Sequence, residues 1–112
     1  MTAAGSGPLP EGVQLVRWPH AHRLPEEEIV RFFDAREIRW SRWSNGPRAV
    51  YDVHVHEYRK ILFCVEGGIV FTLPDAALSI DLRPGDRLTL PPGARHSALV
   101  GPDGVACIEG YV

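Results

Sequence analysis

From Ile38 to Val112 the chain alternates short apolar runs with turn residues, and this constrains its fold more than any other feature. "IRWSRWS" stops at the Asn45–Pro47 break, and "AVYDVHVH", "KILFCVEG" and "GIVFTL" follow. A "PDAA" turn leads to "LSIDL", then come "RPGD", "RLTLP", "PGA", "RHSALV", "GPDG" and "VACIEGYV". Runs rich in β-branched and aromatic residues, bounded by Gly, Pro, Asn and Asp, are strand signals. About eight or nine strands at this spacing imply a sandwich or a barrel. Upstream, "LPEEEIVRFFDARE" predicts a single helix. Pro25 suits its first turn, Glu26 to Glu28 suit the positive end of its dipole, and Ile29, Val30, Phe32 and Phe33 form an apolar stripe. A helix before the β run, with none inside it, argues for an all-β fold against an α/β one. Val13–Trp18 is expected to open the sheet. Residues 1–12, rich in Gly, Pro and Ser, are expected as a flexible tail. That leaves one domain over 13–112, with a barrel core at about 48–112.

Composition removes several functions. The chain has 112 residues, 45% of them hydrophobic, and a formal charge of −2. Its basic residues are scattered among 14 acidic ones, which gives no basic stripe for nucleic acid. No apolar run approaches the roughly 20 residues of a membrane span. The N-terminus shows neither the basic nor the apolar part of a secretory signal, so a cytoplasmic location is the expectation. Cys64 and Cys107 then read as buried small hydrophobes.

Chemistry concentrates in two places. On a strand, His54 and His56 would share one face about 7 Å apart, a spacing from which two imidazoles can bind one metal. His20 and His22 repeat the pattern in a Pro-flanked loop without a partner motif and are expected to face solvent. Further on, "GDRLTLPPGARH" sets Gly85, Pro91, Gly93 and His96 at fixed intervals. Together these two segments resemble the two motifs of the cupin family. His54, His56 and Gly67 fall on its HxH…Gly motif, and Gly85, Pro91, Gly93 and His96 on its G-x5-P-x-G-x2-H motif. The resemblance is close over Val50–Val100. It implies a jelly-roll β-barrel in which His54, His56 and His96 converge on a divalent transition metal (Fe, Mn, Ni, Zn or Cu). It also implies a small-molecule ligand in the barrel cavity and a homodimer. Gly67 and Gly85 are expected at tight turns between paired strands, and "PPG" at the turn that delivers His96.

Three positions depart from the pattern. Gly46 lies two residues too far upstream of the histidines, and Val100 replaces an Asn. More seriously, Lys60 stands where the family places a glutamate ligand. It is the one lysine among 12 basic residues. An ammonium about 5 Å from a divalent ion, at an effective dielectric near 20, is repelled by roughly 6–7 kcal/mol. Three resolutions follow. Three histidines alone hold the metal, with Lys60 swung outward or paired to a carboxylate, Glu57 or Glu109, each of them also a candidate extra ligand. Or Lys60 is a neutral amine serving as catalytic base or nucleophile, for example through a Schiff base. Or no metal binds, and a cationic pocket takes an anion. The functional expectation is a small metal-binding cupin of oxygenase, isomerase or lyase type. Its rival is a non-catalytic ligand-binding or sensor protein, favoured by the absence of any lid in so short a chain. Neutral histidines are needed for ligation, so metal affinity is expected to fall below about pH 6.

Overall fold

The computed structural model describes residues 8–112. Of the expected tail, residues 1–7 lie outside the described residues; beyond them, the Val13 N–H donates to the Pro10 carbonyl (3.1 Å) in a turn. Seven strands and one helix follow, in the order β1 (Gln14–Val16), α1 (Glu26–Ala35), β2 (Arg39–Asn45), β3 (Val50–His54), β4 (Lys60–Leu73), β5 (Leu78–Leu82), β6 (Arg87–Leu90) and β7 (His96–Tyr111). The strands form one antiparallel, seven-stranded sheet that curls on itself, with β4 and β7 at its centre. The expected all-β architecture with one helix before the barrel is therefore present.

The strand count falls below the expected eight or nine because two pairs of predicted strands are continuous. "KILFCVEG" and "GIVFTL" make the single β4, while "RHSALV" and "VACIEGYV" make β7. Residues Lys60–Phe63 of β4 lie between β6 and the end of β7; residues Ile69–Leu73 lie between β5 and its beginning. Each long strand thus changes neighbours halfway. Gly67 sits at that change rather than at a turn between strands. Its φ of +72 and the register shifts on either side of it mark a bulge in β4. A Cβ there would lie 2.0 Å from the Gly104 carbonyl oxygen of β7. Gly67→Ala is accordingly expected to cost at least about 2 kcal/mol in urea unfolding. Gly46→Ala, with nothing within 4 Å of its Cβ, should be nearly neutral.

Alternation along β4 builds two cores. Leu62 and Cys64 face the barrel interior with Phe71, Leu82, Leu88 and Cys107. Ile61, Phe63 and Val65 face outward onto Ile29 and Phe33 of α1, which covers that side of the sheet. Trp40 joins this outer layer and donates its indole N–H to Asp34 (3.0 Å). Near the "RPGD" turn, buried Asp86 accepts from the backbone N–H groups of Trp18 (3.0 Å) and Arg83 (2.9 Å). That carboxylate fastens the segment after β1 to the β5–β6 connection. The described helix is too short to cross a membrane.

Candidate metal centre

The "PPG" turn and the His-x-His segment are joined by one backbone bond. Gly93, at φ +81, donates its N–H to the carbonyl of His56 (2.8 Å). The turn thereby leads into β7 with its first residue, His96, paired in register with His54 of β3. His56 lies beyond the end of β3, held at this height by the Gly93 bond. The three rings gather with centroids 4.2 Å apart for His54–His96, 4.9 Å for His54–His56 and 5.3 Å for His56–His96. One nitrogen from each lies within 4.8 Å of the other two.

Protonation follows from the hydrogen bonds. His54 Nδ1 is 2.7 Å from the Asp52 carbonyl oxygen and His96 Nδ1 is 2.9 Å from that of Ala94. A carbonyl only accepts, so both Nδ1 atoms carry the proton and both Nε2 atoms keep a lone pair. The Nε2 atoms of His56 and His96 are buried and have no hydrogen-bond partner. A buried acceptor without a donor costs about 1–3 kcal/mol. The His96 acceptor, beside two further imidazoles, fits a site built for a cation. Bonds of about 2.1 Å to a tetrahedral ion set donors about 3.4 Å apart, so ring movements of roughly an ångström would close the set.

Burial pushes the His96 imidazole from 6.5 down to about 4, against an opposing contribution from its bond to Ala94. The His56 value is lowered as well, first by burial and then by the nearby Lys60 charge. His96 therefore stays neutral well below the usual histidine range, and His56 is shifted in the same direction, so ligation by His96 should persist below the expected limit near pH 6. A stability prediction follows for the metal-free protein. A histidine with a depressed folded pKa takes its proton more readily in the unfolded chain. Its contribution is complete above pH 6.5 and is lost as pH falls toward 4. Between pH 7 and 5, His96 alone should cost about 2 kcal/mol, at 1.36 kcal/mol per unit. Urea unfolding at both pH values should show this loss, and His96→Gln should remove it.

Lys60 opens β4 beside the rings, and its alternatives can now be compared. It is 8% exposed, and its Nζ lies 3.6 Å from Oε1 of Glu109, itself 7% exposed. At an effective dielectric near 20, opposite charges at that distance attract by about 4–5 kcal/mol. The pair is neutral as a unit, which removes most of the repulsion that a bare ammonium would exert on a metal. Trp43 Nε1 also donates to Glu109 Oε1 (2.8 Å). Glu57, the other candidate partner, is exposed and does not line the cavity.

The cavity next to the histidines measures about 240 Å³. His54, His56, Tyr58 and Lys60 all line it, so a period of two persists through a segment that is not a strand. That period is the signal which places Tyr58 on the wall; its ring stacks on His56 at 4.8 Å. Trp43 and Tyr51 form another wall with ring centroids 5.8 Å apart, and Ile69, Phe71 and Ala98 supply apolar surface. Tyr51 was not expected there. It stands three residues from His54, which strict alternation would put on the opposite face, but a register shift between the two turns both inward. Arg59, His20 and His22 are exposed, and Cys64 is buried in the core without lining the cavity.

No family model matches the sequence, and no curated protein sequence matches it either. Solved structures do. An RmlC-like cupin from Shewanella frigidimarina shares 23% identity over 66% of this chain, with a TM-score of 0.58; the match spans 64% of the Shewanella chain, under two thirds of its length. The chain has the cupin fold. Two further matches run over most of both molecules. A DUF861 family protein from Thermotoga maritima is 17% identical over 89% of this chain and 99% of that one, with a TM-score of 0.64. KdgF from a Halomonas species is 20% identical over 94% and 84%, with a TM-score of 0.57. In this cupin barrel, His54 and His56 line the cavity together with Lys60 and Glu109, and His96 stands against both histidines.

Proposed function

We propose that His54, His56 and His96 hold a divalent transition metal ion (Fe, Mn, Ni, Zn or Cu) and that the adjoining cavity takes a small molecule reaching the ion's open positions. The carrying observation is the pair of buried, unpartnered Nε2 atoms on His56 and His96, of which the His96 atom keeps its lone pair for a cation or a donor from outside. When bound, such an ion supplies Lewis-acid chemistry or a lowered water pKa. The chain's own groups set the conditions for it. The carbonyls of Asp52 and Ala94 fix the tautomers of two imidazoles, as outer partners of metal-binding histidines commonly do. The aromatic walls keep bulk water off one side of the cavity. Lys60 forms an ion pair with Glu109 at the cavity wall. That supports Lys60 acting on a ligand by charge and hydrogen bonding, whether the ligand is turned over or only bound. The test is elemental analysis of protein produced with each metal in turn. One ion per chain, removable by chelator and restored by dialysis, is expected. Protein that stays metal-free after metal-replete production overturns the reading.

A further inference from the structure

The metal reading leaves Lys60, on the same cavity wall, without a purpose. It presents a three-donor ammonium, and among the described residues no side-chain hydrogen bond to it is found. Its ion-pair partner, Glu109 Oε1, is 3.6 Å away, well beyond the roughly 2.7–2.9 Å of a charge-assisted bond. That oxygen already accepts from Trp43. The ammonium is held in place by charge while its donors remain available to whatever fills the cavity.

Charge and shape then narrow what that acceptor belongs to. Lys60 and Glu109 cancel, and Glu109 is the one carboxylate on the cavity wall. A divalent ion on the histidines would therefore leave the cavity with net positive charge. Trp43, Tyr51, Ile69, Phe71 and Ala98 line the rest of the cavity and offer apolar and aromatic surface. A polyhydroxylated sugar would find few partners for its hydroxyls on such walls. The volume, about 240 Å³, is below that of most drug-sized pockets and suits a ligand of roughly ten heavy atoms.

We propose that the cavity binds a small organic carboxylate with a flat apolar body, its oxygens shared between the histidine-held metal and the Lys60 ammonium. The metal half of this contact rests on the function proposed above; the Lys60 half stands on its own. The probes are benzoate and its neutral counterpart benzamide, which share a shape and differ in charge. Binding of each is followed by calorimetry and by Trp emission on the full chain, both metal-loaded and metal-free, with metal content measured on the same samples. Benzoate should bind at least about tenfold more tightly than benzamide, since a hydrogen bond to a charged group is worth about 1.5–3 kcal/mol. Lys60→Met should lower benzoate affinity about 10- to 100-fold and leave benzamide unchanged. Because that variant strands Glu109 and can fail to fold, the double variant Lys60→Met with Glu109→Gln is made beside it. There the pair carries no net charge before or after, and the amide oxygen at position 109 can still accept from Trp43. Equal affinity for the two probes, no benzoate binding at millimolar concentration, or benzoate affinity retained in the double variant each overturns the proposal. A sample that fails to take up metal yet still prefers benzoate through Lys60 would separate the two ideas: the metal reading would fall and the carboxylate site would stand.

Discussion

Glu109→Leu is expected to destabilise the protein by about 3–5 kcal/mol, the typical cost of leaving a buried charge without its partner. Lys60 is 8% exposed, and no other carboxylate lines the cavity with it. The same change also takes the acceptor from the Trp43 indole. For a domain of this size the loss corresponds to a fall in Tm of about 10–20 °C. Combining Glu109→Leu with Lys60→Met should recover most of it, because a buried pair removed whole is often replaced without penalty. Urea unfolding of the three variants measures the coupling directly. A single variant within 1 kcal/mol of the parent, by about the scatter of such measurements, would mean that Lys60 is neutral or reaches water.

His96→Ala should abolish stoichiometric metal. Losing an outer partner of a ligand typically costs 10- to 100-fold in affinity, and losing a ligand itself should exceed about 100-fold. Equilibrium dialysis and elemental analysis give the affinity, and thermal unfolding gives an independent readout. Added metal should raise the Tm of the parent, since binding to the folded state alone stabilises it by mass action. The variant should show no such rise. His20→Ala serves as the control, because His20 and His22 share the His-x-His spacing but lie exposed, stacked on each other at 5.2 Å. Metal binding that survives His96→Ala and fails with His20→Ala would invert the assignment made here.

The parts of this site that were legible in the sequence are those fixed by local geometry. Pro91 and Gly93 demand a turn, while the meeting of three imidazoles was anticipated from the resemblance of the two motifs to those of cupins. The helix was legible from its apolar stripe and acidic first turn. What the sequence obscured were departures from regularity that only tertiary pairing decides. Gly67 and Gly68 look like the end of a strand, yet both β4 and β7 run through their glycines because each is paired on both sides. Tyr51 reads as facing away from His54 until the bulge between them is known. The partner of Lys60 was narrowed to Glu57 or Glu109 but not chosen. Glu57 is close in sequence and exposed, whereas Glu109 comes from the last strand and arrives only through the β4–β7 pairing. The central indole of the cavity, Trp43, showed nothing beyond an aromatic residue on an alternating strand.

The two long strands also bear on how the barrel comes apart. Because β4 and β7 each belong to both halves of the curled sheet, neither half can detach without tearing the other's central ladder. Hydrogen exchange should therefore find the amides of both halves opening together, in one global event. Most of the ladder joins residues far apart along the polypeptide, which places this barrel among slow, high-contact-order folders.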